Sequence, residues 1–273
     1  MTRNALEQQI REKKSLLCVG IDPVQERMPK KYKDCSTESL IAFSQDIIST
    51  VAPYAVAIKP NIAYFETFGS AGWEALPKIA ELIKDHNLLS IADAKRGDIG
   101  NSSKQYAKAF FETMDFDAIT LSPLMGYDSI APFLDYKDKW SILLTMTSNP
   151  GSKDFLEQEL VKGGSLGQNI LLSTQQWPNS AQIMYVVGAT KPNELKKLRS
   201  MAPDAFFLVP GVGAQGGSVT EVIQSAGTSK GGLLINSTRG IIYSNSADEF
   251  PKNVRLSAAK MQEECALNLT LTF

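Results

Sequence analysis

The stretch LLSIADAK, residues 88–95, indicates how this chain folds. It begins with an almost unbroken apolar run and ends in two charged side chains, Asp93 and Lys95. A strand of a parallel sheet is covered on both faces, so its sequence is a near-continuous apolar run with no polar face. The stretch therefore predicts a buried parallel strand that carries charges at its carboxyl end.

Seven further segments repeat this pattern along the chain. They are SLLCVGID (15–22), AVAIKPN (55–61), AITLSPL (118–124), SILLTMT (141–147), IMYVVGAT (183–190), FFLVPGVG (206–213) and GGLLINSTRG (231–240). Helix-like segments lie between them, among them STESLIAFSQDIISTVA (36–52), in which Ser and Thr precede an apolar 3.6-residue pattern. Eight strands that alternate with helices predict a (β/α)8 TIM barrel, with a doubly wound open sheet as the alternative.

Length and composition favour one domain. The chain has 273 residues, is 43% hydrophobic, and contains no Pro/Gly/Ser linker or low-complexity tract. We therefore expect a single barrel domain over 1–273, with an N-terminal helix in MTRNALEQQIREKKS. We also expect an insertion after strand five, at about 148–169, that is partly helical through DFLEQELV.

Charge and cysteine content restrict the partners and the location. The formal net charge is −1, so there is no basic field that would drive binding to nucleic acid. No apolar run reaches the roughly 18–20 residues of a membrane span, and we do not expect the polar N-terminal segment to be a signal peptide. The three cysteines, Cys18, Cys35 and Cys265, form no closely spaced pair. These features predict a reduced, cytoplasmic protein that binds neither membrane nor nucleic acid.

Polar and charged side chains gather where the predicted strands end. Chemistry in a (β/α)8 barrel occurs at the carboxyl ends of the strands. Asp93 and Lys95 are two residues apart, so on an extended strand they share a face, and with Lys59 they can compensate one another's charge. A purely structural ion-pair network is the alternative. Arg96 is expected on the other face, in a solvated or structural role. The candidate substrate-contacting residues at strand ends are Asp22, Lys59, Asn61, Asp93, Lys95, Ser122, Gln215 and Arg239.

The last two strand ends predict a phosphate site. Barrels often bind phosphate with the loops after strands seven and eight. PGVGAQGG (210–217) offers backbone N–H groups, and NSTRG (236–240) adds a guanidinium that can fork onto phosphate oxygens. Ordinary glycine-rich turns are the alternative. Gly211, Gly213 and Gly216 form a G-x-G-x-x-G pattern, but no acidic residue follows it at the spacing that a dinucleotide-binding fold requires. The candidate residues are Pro210, Gly213, Gln215, Arg239 and Gly240.

Other common chemistries lack the residues they need. His86 is the only histidine, and it ends a helix-like segment, which leaves no His-based triad and no His-rich metal site. Cys18 lies inside the first predicted strand, where a buried apolar role is expected rather than a nucleophile. We therefore predict neither a metal nor a cofactor.

The motif DAKRGDIG (93–100) resembles the signature of the orotidine 5′-phosphate decarboxylases, the last enzymes of UMP synthesis. GIDP, KPN, SPLMG, PGVGAQGG and NSTRGI occur in the same order as in that family. Metal-dependent sugar-phosphate decarboxylases and aldolases of the same suprafamily share part of the signature. These metal-dependent enzymes carry an acidic residue near the position of Lys59. The lysine in KPN therefore makes the resemblance to the orotidine 5′-phosphate decarboxylases more specific.

The resemblance implies a cofactor-free decarboxylation of orotidine 5′-phosphate to UMP by a homodimer. It implies that Lys95 stabilises a carbanion at C6 and protonates it, within an alternating array of Lys59, Asp93, Lys95 and Asp98. Asp98 and Ser102 would come from the partner subunit. Asp22 and Lys59 would hold ribose hydroxyls, Ser122 the pyrimidine, and Gln215 and Arg239 the phosphate. A metal-dependent relative and a non-catalytic nucleotide-binding barrel are the alternatives.

Overall fold

The structure is a computed structural model that describes residues 1–189, 192–212, 216–244 and 249–270. Eight parallel strands pair in chain order, and the last pairs with the first, as in Leu17 with Ile235. The predicted closed barrel is therefore confirmed, and the open sheet is excluded. The strands are β1 (Leu17–Ile21), β2 (Ala57–Pro60), β3 (Leu89–Arg96), β4 (Ala118–Leu121), β5 (Trp140–Met146), β6 (Ile183–Val187), β7 (Phe206–Val209) and β8 (Leu233–Ser237).

Helices surround the barrel and connect its strands. The second helix is capped at its start, because the Ser36 hydroxyl accepts a hydrogen bond from the Ser39 N–H. A short π-helical segment, Ala109–Thr113, extends the fifth helix. The helices are α1 (Arg3–Lys13), α2 (Thr37–Val51), α3 (Ile62–Glu66), α4 (Ser70–Asp85), α5 (Gly100–Lys108), α6 (Tyr127–Leu134), α7 (Leu166–Thr174), α8 (Pro192–Met201), α9 (Val219–Ala226), α10 (Arg239–Ile242) and α11 (Lys252–Asn268).

The strands are buried on both faces, which explains their unbroken apolar sequences. Every residue of β1, β2, β4, β6 and β7 is buried. At the amino ends of the strands, the Arg3 guanidinium lies 5.5 Å from the centroid of the Trp140 ring and 5.3 Å from that of Phe206. Helix α1 therefore contacts the end of the barrel opposite to the charged strand ends.

The segment between β5 and α7 differs in part from expectation. A 3₁₀ helix occupies Pro150–Asp154, but the rest of DFLEQELV forms turns and a bridge between Glu159 and Ser165, so the predicted helix is wrong. The Leu160 N–H donates to the Gly164 carbonyl, and Gly163 and Gly164 have φ values of 86° and 77°. Two consecutive left-handed residues reverse the chain here, which a continuing helix would not allow.

Among the residues that the structure describes, no helix combines the length and the apolar character needed to cross a bilayer.

Candidate active site

Three charged side chains meet at the carboxyl ends of β2 and β3. The Lys59 Nζ lies 2.6 Å from one carboxylate oxygen of Asp93, and the Lys95 Nζ lies 2.5 Å from the other. Because parallel strands end on the same side of the barrel, residues 34 positions apart converge here, as the sequence predicts. Asp93 is therefore clamped between two ammonium groups.

Lys59 and Asp93 are both buried, and each stabilises the charged form of the other. Burial disfavours the charge of Asp93, but the Lys59 and Lys95 ammonium groups outweigh it and hold the pKa of this carboxyl well below its usual range. Burial likewise opposes the charge of Lys59, yet attraction to Asp93 leaves the pKa of this lysine raised. Removing Asp93 would leave two ammonium groups without their partner, at a cost of about 3–5 kcal/mol.

Lys95 differs from Lys59 in its access to solvent. Its side chain is 51% exposed, whereas that of Lys59 is 7% exposed. The Lys95 ammonium therefore lies at the open mouth of the barrel, where a ligand can reach it. Lys59 is enclosed deeper in the mouth, with its ammonium against the Asp93 carboxylate.

Asp22 follows β1 and adds a half-buried carboxylate to the same mouth. Its Oδ1 atom is buried and has no hydrogen-bond partner among the described residues. Burial raises the pKa of Asp22, and the nearby charge of Lys59 and the Asn61 side chain compensate only in part. An unpaired buried acceptor of this kind is suited to a ligand that brings its own hydroxyl donors.

Asp22→Asn should raise the stability of the unliganded protein at neutral pH. Since the pKa of Asp22 is raised on folding, wild-type stability falls as the pH rises from the ordinary carboxyl value through the raised value. The amide avoids this cost, so we expect a Tm higher by roughly 2 °C at pH 7, with no difference below about pH 4. Thermal unfolding across pH measures this, with the exposed Asp138→Asn as control. An unchanged or lower Tm at pH 7 would contradict it.

Asp98, Ser102 and Ser122 lie around the mouth but outside the charged cluster. Among the described residues Asp98 makes no ion pair, and its carboxylate accepts only from the Ile99 N–H at 2.8 Å. Ser102 is exposed on the first turns of α5. The Ser122 N–H donates to the Arg96 carbonyl at 2.8 Å, so Ser122 is held beside the end of β3. The single chain therefore brings Ser122 beside the end of β3, whereas Asp98 is half-buried and Ser102 exposed, and neither bonds to the charged cluster.

Three of the predicted phosphate residues are described: Pro210 follows β7, and Arg239 and Gly240 follow β8. Gly213 and Gln215 fall outside the described residues. Pro210 is half-buried, and its carbonyl accepts from the Ala189 N–H at 3.1 Å. Arg239 and Gly240 are exposed at the start of α10. The Arg239 guanidinium is therefore accessible on the same side of the barrel as Lys95.

A profile of the Orotidine 5'-phosphate decarboxylase / HUMPS family matches residues 15–250. The chain belongs to this family. A Bacteroides fragilis protein named orotidine 5'-phosphate decarboxylase is 44% identical over 271 residues, covering 98% of both chains. A Christiangramia forsetii protein of the same name is 46% identical over 272 residues, covering 98% of this chain and 99% of its own. The solved structure of Leishmania donovani OMP decarboxylase is 33% identical, with a TM-score of 0.84 and 98% coverage of each chain.

Arg96, which adjoins the family motif's lysine, has a structural role here, in agreement with the sequence-based expectation. Its guanidinium lies 2.5 Å from a carboxylate oxygen of Glu66 and donates to the Ala94 carbonyl at 3.0 Å. It also lies 5.7 Å from the ring centroids of both Tyr106 and Phe110. These contacts tie the end of β3 to α3 and α5 and so support the strand that carries the cluster.

Two residues of the site are absent from the sequence-based set. Thr120, on β4, bonds to both Asp93 and the Lys95 backbone. The Tyr243 hydroxyl donates to the Asp22 carbonyl and accepts from the Val24 N–H, each at 2.9 Å, which secures the loop after β1. The one feature of the sequence that could have pointed to Thr120 is its hydroxyl group inside the apolar run AITLSPL. No comparable feature points to Tyr243, which lies far along the chain.

Within the described ranges, no cluster of three His, Cys, Asp or Glu side chains could hold a metal ion. Cys18 is buried in β1, and burial raises the pKa of its thiol to about 12, which keeps it protonated at neutral pH. Cys18 is therefore unsuited to act as a nucleophile, as its place in the first strand predicts.

Proposed function

We propose that this chain catalyses the decarboxylation of orotidine 5′-phosphate to UMP, the last step of de novo pyrimidine synthesis, without a cofactor. The observation that carries the proposal is the Lys59–Asp93–Lys95 cluster at the barrel mouth of a chain that belongs to this family. Relatives that match almost its full length bear the name of this activity.

Lys95 is the proposed catalytic acid. Loss of CO₂ from C6 of the orotate ring leaves an electron pair on that carbon, with no conjugated group to receive it. A fixed ammonium beside C6 stabilises this charge as it develops and then donates a proton to the carbon. The neutral amine afterwards regains a proton from water. The half-exposed ammonium of Lys95, hydrogen-bonded to Asp93, meets these requirements.

Asp93 is proposed to hold and orient the Lys95 ammonium. The carboxylate holds the Lys95 ammonium at 2.5 Å and is itself fixed by Lys59. Because its pKa is held low, Asp93 remains an anion throughout the neutral pH range and cannot take the proton in place of carbon. The buried Lys59 therefore contributes by orienting Asp93 and, with Asp22, by binding ribose hydroxyls.

The phosphate and the pyrimidine would be bound by the loops around this cluster. We propose that Arg239, Gly240, Pro210 and the loop containing Gly213 and Gln215 hold the phosphate, and that Asn61 and Ser122 contact the nucleoside. Phosphate binding is remote from C6, so its energy can drive closure of the loops around the ring. Exclusion of water then strengthens the interaction between Lys95 and the developing charge.

We propose that the active unit is a homodimer in which Asp98 and Ser102 reach the partner's site. Asp98 makes no ion pair within the described part of its own chain. Large apolar side chains are exposed beside it, namely Ile99 at 53% and Leu124 at 65%, together with Met125 and Tyr127. Apolar residues clustered at a polar site entrance are typical of a surface that a partner covers.

We also propose that the protein acts in the cytoplasm. Its three cysteines, Cys18, Cys35 and Cys265, are all free and buried, as in proteins of reducing compartments.

A spectrophotometric assay with orotidine 5′-phosphate tests the proposed function. We expect the purified protein to convert it to UMP and CO₂ at the same rate with and without a chelator. Activity that a chelator destroys and Mg²⁺ restores would instead indicate a metal-dependent relative. UMP binding without any consumption of orotidine 5′-phosphate would indicate a non-catalytic nucleotide-binding barrel.

Arg239→Ala should weaken the use of the phosphorylated substrate selectively. Loss of a bidentate, charge-assisted pair of hydrogen bonds to the phosphate should lower kcat/KM for orotidine 5′-phosphate by about 30- to 100-fold. Steady-state kinetics measure this loss. The control is orotidine, which lacks the phosphate: on it, the variant and the wild type should react equally slowly. An equal loss on both substrates would show that Arg239 acts on the fold or on the ring rather than on phosphate.

A further inference from the structure

The end of β3 departs from a regular strand at the catalytic cluster. Ile91 and Ala92 pair with consecutive residues of β4, Ala118 and Ile119, but the next pair joins Arg96 to Leu121. Three residues of β3 therefore lie opposite the single residue Thr120. Lys95 has a φ of 49°, in the left-handed region that a lysine side chain disfavours.

The hydroxyl of Thr120 occupies the gap that this bulge creates. It accepts a hydrogen bond from the Lys95 N–H at 2.9 Å. The bulge removes the ordinary ladder partner of this N–H, and the threonine oxygen replaces it. The unusual backbone conformation of Lys95 is thus held by a side chain of the neighbouring strand.

The same hydroxyl also holds the carboxylate that carries the Lys95 ammonium. The Thr120 Oγ1 lies 3.1 Å from Asp93 Oδ1, the oxygen that also bonds to the Lys95 Nζ. Since Thr120 accepts from the Lys95 N–H, its single hydroxyl hydrogen is available for Asp93. Thr120 is 1% exposed, so water does not compete for these bonds. One buried group therefore links the backbone of Lys95 to the partner of its ammonium.

We propose that Thr120 is a positioning residue for the decarboxylation, because its hydroxyl sets the direction in which the Lys95 ammonium points. This inference rests on the proposed function. Lys95 is joined to the barrel at two points, its N–H and its ammonium, and Thr120 stabilises both. Without the hydroxyl, the bulge can relax and the half-exposed ammonium can move away from the reacting carbon.

Thr120→Val tests this role with little change in volume. We expect kcat to fall by about 10- to 100-fold, the scale of a misplacement of about 1 Å, with little change in KM. KM should be spared because the proposed phosphate and ribose contacts lie on other residues. Thr120→Ser retains the hydroxyl and should recover most of the rate. If the valine variant does not fold, Thr120→Cys gives the same comparison with a poor hydrogen-bonding group.

Thr145→Val is the matched control for the loss of a buried threonine hydroxyl. Thr145 is fully buried in β5, and among the described residues its hydroxyl donates only to the Leu143 carbonyl. Its substitution should lower stability without lowering the kcat of the folded protein. Denaturant unfolding of all variants separates the folded fraction from the turnover of each site. A wild-type kcat in folded Thr120→Val, or an equal loss in Thr120→Ser, would overturn the proposal.

A binding measurement separates this proposal from the proposed function. The two probes are UMP and 6-hydroxyuridine 5′-phosphate, whose ring carries an oxyanion at C6. Thr120→Val should weaken binding of the oxyanion analogue much more than binding of UMP, whereas equal weakening would contradict the positioning role. If the wild type failed to decarboxylate orotidine 5′-phosphate, the proposed function would be wrong, and this ratio would still test Thr120.

Discussion

Lys95→Ala should abolish decarboxylation while leaving a folded barrel that still binds UMP. The variant loses both the charge that opposes the developing carbanion and the proton donor, so kcat should fall by about 10⁴-fold or more. The fold should persist because Asp93 keeps its buried partner Lys59 at 2.6 Å. The Lys95 side chain is itself half exposed, so its removal leaves no cavity in the core.

Three measurements check this outcome on one preparation. They are turnover of orotidine 5′-phosphate, calorimetric titration with UMP, and thermal unfolding. Lys137→Ala is the control, because Lys137 is exposed at the opposite end of the barrel, just before β5, and its variant should behave as the wild type. Near-wild-type turnover by Lys95→Ala would remove Lys95 from the mechanism. Loss of UMP binding and of the melting transition together would instead assign it a structural role.

The barrel could be predicted from sequence because burial on both faces leaves a strong local signal. β1 and β3 each lie almost wholly within an apolar run that ends in charge, as in SLLCVGID and LLSIADAK. The meeting of Lys59 with Asp93 follows from the same pattern, because all strands of such a barrel end on one side. The fold and the charged cluster could therefore both be predicted from the apolar runs and the charges that end them.

Thr120 and the conformation of Lys95 could not be predicted in this way. The spacing of Asp93 and Lys95 suggests a shared face on an extended strand, and the two side chains do meet. They meet, however, on a bulged strand with Lys95 at a φ of 49°, and a bulge leaves no trace in residue periodicity. The helix predicted through DFLEQELV is absent for a related reason, because the chain reversal at Gly163 and Gly164 overrides the local helical preference.

Asp98 is the residue whose role a single chain does not account for. It shares the family motif with Asp93 and Lys95, yet among the described residues it contacts only the Ile99 N–H. Asp98→Ala alone should lower kcat strongly, because the proposed array loses the carboxylate that the partner supplies. Its own barrel should remain intact, since the side chain supports no ion pair there. Loss of activity without loss of stability would thus agree with a role across an interface.

Mixing inactive Lys95→Ala and Asp98→Ala proteins should restore activity if the site is shared. In a hybrid dimer, the barrel of the Asp98→Ala chain keeps its own Lys95 and receives Asp98 from the other chain. About half of randomly exchanged dimers are hybrids, each with one intact site of two, so about a quarter of wild-type activity should return. Subunits with different affinity tags allow hybrids to be isolated and assayed directly.

A second mixture distinguishes a shared site from a general effect of association. Lys95→Ala combined with Asp93→Asn can form hybrids, but both residues belong to the same barrel, so no hybrid contains an intact site. This mixture should stay inactive under conditions that restore the first. Isolated Lys95→Ala/Asp98→Ala hybrids without activity would contradict the shared site. Because Asp93 and Lys95 are already in contact within one chain at 2.5 Å, Asp98 is the one of these three residues that can be supplied across the interface.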